Sequence, residues 1–257
     1  VKSKDIFVVS VGRNCSNFIP AWRASLLKQT VKHTVLSVLD PSTDGTEDLI
    51  TRMSNAELFE SGMQSVLYEP HFTTNRRGNL ANMLHCFEYV SRVHGGDSII
   101  AMLDMDDELV GNHALARVLK EYEDPECWMT YGSYITSNGA AAVWSGEYTE
   151  EDFKDIRKAK WQASQLRTFR AALFDKVPKH MFRLDDTSYP ARASDRFLMY
   201  PLLDLAGKEH SRHIPEQLYL YNIYGQQAAE NDVEQAALKV ALSKEPLKRL
   251  DSLLVNR

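Results

Sequence analysis

Three cysteines in 257 residues, Cys15, Cys86 and Cys127, are too few and too scattered for a disulfide framework or a metal-binding spacing. They read as unpaired cytosolic or buried thiols. No apolar run approaches the roughly 18–20 residues that span a bilayer. Positive charge is in short supply: 30 Lys and Arg stand against 35 Asp and Glu, a net charge of -5. That balance argues against a general nucleic-acid binder. Internal repeats and low-complexity tracts are absent, which excludes solenoids and fibrous architectures. The chain opens on Val1, and its first residues show no signal-peptide pattern. What is present, 44% hydrophobic and 25% charged residues, is ordinary for a globular enzyme with a real core.

The first half alternates strand and helix. Ile6 to Val11 is a short β-branched run, broken by Gly12-Arg13-Asn14. Phe18 to Gln29 carries apolar residues at helical spacing, and Thr34 to Asp40 is a second strand. Pro41 to Thr46 is dense turn chemistry before a helix from Glu47 to Met53, capped by Thr46 or Asp44. Ser65 to Tyr68 reads as a strand, His71 to Arg77 as a polar loop, and Asn79 to Val93 as a helix. Ser98 to Asp104 is the most strand-like run. Such alternation predicts βαβ units and a parallel sheet. The second half is less regular. Helices are expected at His113–Tyr122, Arg167–Phe174 and Asp195–Ala206, and strands at Trp128–Ile135 and Leu218–Tyr221. From Asp232 an amphipathic helical tail follows, interrupted at Pro246.

Ligands of open α/β sheets bind at the carboxyl ends of the strands. Those ends here carry Gly12-Arg13-Asn14, Asp40-Pro41-Ser42 and Asp104-Met105-Asp106-Asp107. Clustered carboxylates repel unless a cation neutralises them, and a hard divalent ion suits oxygen donors and substrate phosphates. The alternative is a polar strand-end turn with a helix cap.

Four segments together resemble the family 2 glycosyltransferases of GT-A fold, a resemblance that covers about residues 5–225. They are Val8 to Asn14, Leu39 to Thr46, Asn75 to Asn82, and Ala101 to Asp107 with its D-x-D signature. Leu166 to Arg170 with Phe174, Ser194-Asp195 and Tyr219 to Asn222 look like a bacterial and viral branch. The resemblance implies an α/β, Rossmann-like, mainly parallel sheet flanked by helices, with residues 1–107 as the nucleotide-binding half and 108–225 as the acceptor half. It implies a nucleotide-sugar donor, UDP favoured, a saccharide or glycolipid acceptor, and Mn²⁺ or Mg²⁺. Gly12, Arg13, Asn14 and Asp40 would line the base and ribose pocket. Arg76, Arg77 and Asn79 would face the base or phosphates. Asp104 would bind ribose or a metal-bound water, and Asp106 the metal. Asp107 would share the metal or brace its loop. Asp195 would be the catalytic base, with Asp185 and Asp186 as competitors. Trp161, Gln165, Arg167 and Arg170 would line the sugar or acceptor pocket. The chain departs from the family pattern at Pro41, which replaces a second Asp, and at Ser194, which replaces a Glu.

Two other functions compete. A sugar-nucleotidyltransferase would need a Gly-rich phosphate loop after the first strand, and Val11 to Asn14 is too poor in glycine. A non-catalytic carbohydrate-binding module would not need the intact D-x-D. His210 and His213, three apart, have a metal-compatible spacing. The tail from residue 226 is expected to stand outside the catalytic fold, with its apolar side on its own domain, on a second copy, or on a membrane surface. The expected location is the cytoplasm, with the inner face of a membrane as a peripheral option.

Overall fold

The computed structural model describes residues 5–53, 75–224 and 231–253. The expected strand at Ser65–Tyr68 and the loop from His71 to residue 74 lie outside them. Seven described strands form one sheet: β1 (Ile6–Gly12), β2 (Thr34–Leu39), β3 (Ile99–Met102), β4 (Glu108–Leu109), β5 (Met129–Thr136), β6 (Ser164–Arg170) and β7 (Ser211–Tyr221). Their spatial order is β2-β1-β3-β6-β5-β7-β4. The described helices are α1 (Ile19–Leu27), α2 (Thr46–Met53), α3 (Asn79–His94), α4 (Ala114–Glu121), α5 (Ala171–Asp175), α6 (Ser194–His210) and α7 (Asn231–Ser243).

The sequence predicts the parallel pairing of β1 with β2 and β3. Past β3 the sheet turns mixed: β6 is antiparallel to both β3 and β5, while β5 and β7 are parallel. The carboxyl ends of β1, β2, β3, β5 and β7 therefore share one edge with the amino end of β6. This gathers residues from both halves of the chain at a single edge.

Residues 167–174 are not one helix. Their spacing is helical (Leu166, Phe169, Leu173), yet residues 164–170 form β6 and only Ala171–Asp175 coils. β6 lies mid-sheet with both faces covered, so its burial does not alternate and the period-2 signal is lost.

Elsewhere alternation sorts side chains onto two cores. Phe7, Val9, Val11, Ile100 and Met102 face one side, under Leu80, Met83, Leu84, Phe87 and Val90 of α3. Ile6, Val8, Val35, Ile99 and Ala101 face the other, under Trp22 and Leu26 of α1 and Leu115 and Val118 of α4. Phe87 is fully buried and meets Phe169 and Phe174 edge-on. Full burial of one such side chain contributes roughly 1.5–3 kcal/mol.

The tail docks on its own domain. Ala237 and Ala241 are buried in the first core, and Val240, Leu247, Leu250 and Leu253 pack against it. After Ser243 the chain leaves helical geometry but stays pinned. Leu250 N donates to the Leu205 carbonyl at 3.0 Å, and Leu247 N to Asp204 Oδ2 at 3.0 Å. Val233 and Leu242 remain exposed. No helix among the described residues is long and apolar enough to cross a membrane.

Candidate active site

The turns after β1 and β2 are stitched to each other. Asn14 takes a left-handed backbone, φ 55°. Its N–H donates to Ser42 Oγ at 3.1 Å, and its Oδ1 accepts from Thr43 N at 2.9 Å. Arg13 Nε donates to the Pro41 carbonyl at 3.2 Å. Asp44 caps α2 and also accepts from Ser16 N at 2.9 Å. Burial pushes the Asp44 carboxyl up, but the hydrogen bonds from Thr46 and Ser16 outweigh it and hold its pKa at about 2. Gly12 is required by close approach. A Cβ there would stand 2.7 Å from the sulfur of Met105, in the middle of the D-x-D.

Asp40 is buried, and its carboxylate accepts from Arg77 N, Gly78 N and Asn82 Nδ2, each at 2.9 Å. It therefore holds the 76–78 loop at the start of α3. That loop leaves Arg76, Arg77 and Asn79 exposed beside the strand-end carboxylates. The Asn79 side chain hydrogen-bonds to Asp104.

Asp104, Asp106 and Asp107 follow β3 as a tight group. Burial pushes the Asp104 carboxyl up to about 7. Asp106 and Asp195 push the same way, against Arg167 and the Asn79 hydrogen bond. Burial also raises Asp106. Asp107 rises to about 9 through burial and the charges of Asp104 and Asp106. Its oxygens are committed: Oδ2 accepts from Tyr219 Oη at 2.6 Å and Oδ1 from Asn222 N at 2.7 Å. Asp107 thus braces the loop to the end of β7. Tyr219 completes the brace, since its hydroxyl also accepts from Asp104 N at 3.2 Å.

Asp195 reaches the same edge from the first turn of α6. The left-handed Ala193, φ 55°, sets the entry of that helix. Asp195 Oδ2 accepts from Arg167 Nη2 at 3.3 Å. Arg167 is buried, and its Nε donates to the Ala163 carbonyl at 2.8 Å. Register opposes it to Met102, two residues before Asp104. Arg167 therefore lies between Asp195 and the β3 carboxylates.

A cavity of about 360 Å³ opens beside Asp195 and Arg167, which both line it. Tyr134, Trp144, Trp161, Gln165, Arg196 and Tyr221 are among its lining, with Glu234 and Leu238 of α7. Trp161 is buried, with the Arg196 guanidinium 3.8 Å from its ring centre and Tyr200 edge-on at 5.4 Å.

Arg170 is not brought to this site. It pairs with Ile99 at the far end of β3, and its guanidinium is bound to the Cys127 carbonyl and Asp97. His210 ends α6 and His213 follows in the first residues of β7, toward the far edge, with His210 stacked on Trp128 at 3.5 Å. Asp185 organises an exposed turn, accepting from Thr187 and Ser188. Neither it nor Asp186 lines the cavity. Sequence reasoning missed Tyr134, Trp144, Arg196, Glu234 and Leu238. The one available signal was Arg196, directly after the candidate base.

Among the described residues, no three His, Cys, Asp or Glu side chains converge into a ready-made metal cage. Asp104 and Asp106 are nonetheless hard donors whose charges repel, a set that fits a divalent ion shared with phosphate oxygens. A pH dependence follows. Folding raises the Asp104 pKa from 3.8 to about 7, so the folded chain holds more protons than the unfolded one between those values. The stabilising contribution is complete at low pH and is lost as the pH rises through 7. A cation replacing the proton offsets that loss. Thermal unfolding at about pH 5 and about pH 7.5 checks this: Mn²⁺ should raise the midpoint far more at the higher pH. Equal shifts would remove Asp104 from the metal site.

The sequence matches the family model for glycosyl transferase family 2 over residues 7–181. A comparison with curated proteins finds no match. Among solved structures, the chain superposes on S. aureus TarS 1-349 in complex with UDP-GlcNAc with a TM-score of 0.57 at 14% identity, covering 92% of this chain and 66% of that one. The mannosyltransferase PcManGT of Pyrobaculum calidifontis, in complex with GDP-Man and Mn²⁺, matches at 0.55 with 15% identity, covering 88% and 57%. Glucosyl-3-phosphoglycerate synthase of Mycobacterium tuberculosis, with Mg²⁺ and UDP, matches at 0.54 with 12% identity, covering 92% and 76%. The chain spans 37% of a longer TarS chain.

Proposed function

The chain belongs to glycosyl transferase family 2, and from that membership we propose an inverting, metal-dependent transfer of a sugar from a nucleoside diphosphate to a saccharide or glycolipid hydroxyl. The observation that carries the reading is the placement of Asp195 across Arg167 from the Asp104–Asp106 edge. UDP is the favoured nucleotide, since two of the three structures described above hold UDP or a UDP-sugar and one holds GDP-Man.

The base and ribose sit over the stitched turns of Gly12 to Asn14 and Pro41 to Asp44. Asp40 acts by fixing the 76–78 loop, which brings Arg76, Arg77 and Asn79 toward the donor phosphates. Asp106 and Asp104 would hold Mn²⁺ or Mg²⁺, which when bound neutralises charge on the departing diphosphate. Asp195 takes the proton of the acceptor hydroxyl as that oxygen bonds the anomeric carbon. Arg167 fixes one of the Asp195 oxygens through a charge-assisted hydrogen bond.

Replacing Asp106 with Ala should abolish metal-dependent donor binding. Calorimetry with UDP in the presence of Mn²⁺ reads this directly, and unchanged affinity would remove the metal assignment.

A further inference from the structure

Of the four tryptophans, three are closed off: Trp22, Trp128 and Trp161 are 6%, 2% and 6% exposed. Trp161, the sugar platform suggested by sequence, is nearly closed to solvent, with Arg196 over one face and Tyr200 packed close to perpendicular to it. Trp144 differs. It is 50% exposed on the segment after β5 and lines the same cavity as Asp195. The segment is held in place, because Ser145 Oγ donates to the Gly132 carbonyl at 3.0 Å and Ala142 N to the Tyr134 carbonyl at 3.1 Å. Glu234 and Leu238 bring α7 to the lining of that cavity. The buried Ala237 and Ala241 fix the helix that presents them.

We propose that Trp144, with Glu234 and Leu238 of the C-terminal helix, forms the acceptor-saccharide subsite. The proposal rests on the glycosyltransferase reading above. An exposed indole offers a flat apolar face to the C–H face of a pyranose, while Gln165 and Glu234 offer hydrogen bonds to its hydroxyls. A cavity of about 360 Å³ is at the lower end of small-molecule sites, which run from about 300 to 1,000 Å³. Its position selects the acceptor over the donor. Asp195 and Arg167 line the cavity while Asp104, Asp106 and the 76–79 loop are not among its lining, so the cavity offers a hydroxyl to the base and not a diphosphate to the carboxylates. The tail expected to stand outside the catalytic fold thus contributes to the acceptor site.

The test uses the full chain and the variants Trp144→Ala, Trp144→Phe and Glu234→Gln. The probes are methyl hexopyranosides and glucose, mannose and N-acetylglucosamine trisaccharides, titrated by calorimetry with UDP and Mn²⁺ present. Tryptophan emission of the unmodified chain is followed in parallel, because Trp144 is its solvent-facing indole. At least one saccharide should bind and shift the emission to the blue. Trp144→Ala should weaken that saccharide at least tenfold, Trp144→Phe should retain most of the affinity, and UDP affinity should stay within twofold in all three. Equal saccharide affinity in Trp144→Ala, or no saccharide binding while UDP binds, would overturn the subsite. So would a loss of UDP affinity in Trp144→Ala matching the loss for saccharide. Absence of UDP binding in the unmodified chain would instead sink the glycosyltransferase reading itself.

Discussion

Asp195→Asn is expected to slow sugar transfer by about 10²–10⁴-fold, the usual contribution of a positioned general base. In barrier terms that is about 2.7–5.5 kcal/mol. The competing role for Asp195 is local, as an acidic residue in the first turn of α6. A surface carboxylate there is worth about 0.3–1 kcal/mol, and Asp195 is 31% exposed, which screens it further. The two roles therefore separate by magnitude. Asn keeps an oxygen for Arg167 Nη2, and Arg167 retains its bond to Ala163, so the buried guanidinium is not orphaned. Steady-state transfer, UDP affinity and thermal unfolding measured on one preparation decide. A large fall in kcat with near-constant UDP affinity and midpoint supports the base. A midpoint that falls while kcat per folded molecule holds would reduce Asp195 to a helix residue.

The parallel half of the sheet and its carboxylate edge were legible because each strand ends in residues that cannot continue it. Ile99 to Leu103 stops at Asp104, and Val35 to Leu39 stops at Asp40, so pattern and chemistry change at one point. The second half hides its site for a different reason. Arg167 and Arg170 look equivalent in sequence, three apart on one short run. Only the antiparallel register of β6 against β3 sends Arg167 to the acidic edge and Arg170 to the opposite one. Mid-sheet burial also erased the alternation that would have marked β6 as a strand. Trp144 and Leu238 were illegible because about a hundred residues separate them, and no local pattern encodes their meeting. Asp40 shows a third limit. Its residue type and position suit a nucleotide contact, yet the structure commits both its oxygens to the loop before α3.

Asp204→Ala should be the most destabilising single change away from the active site. Arg157 and Asp204 form a two-bond ion pair, Nη1 to Oδ1 and Nη2 to Oδ2 at 2.8 Å each, with side chains only 4% and 3% exposed. Removing one partner leaves a buried charge unmatched, at a cost of about 3–5 kcal/mol. That is a large share of the roughly 5–15 kcal/mol typical of a folded domain. The effect has a location as well as a size. Asp204 Oδ2 also accepts from Leu247 N, and the next residue along, Leu205, accepts from Leu250 N. Loss of Asp204 therefore frees the segment after Ser243 first, and hydrogen exchange should show residues 244–253 opening more than the strands. Arg157→Met combined with Asp204→Leu removes both charges and restores apolar packing, so it should recover most of the stability. The tail should recover less, because Leu247 N still lacks its acceptor. If the double variant were as unstable as Asp204→Ala, the unmatched charge would not be the cause. If residues 244–253 kept full protection in Asp204→Ala, the carboxylate would not be what anchors the C-terminal segment to α6.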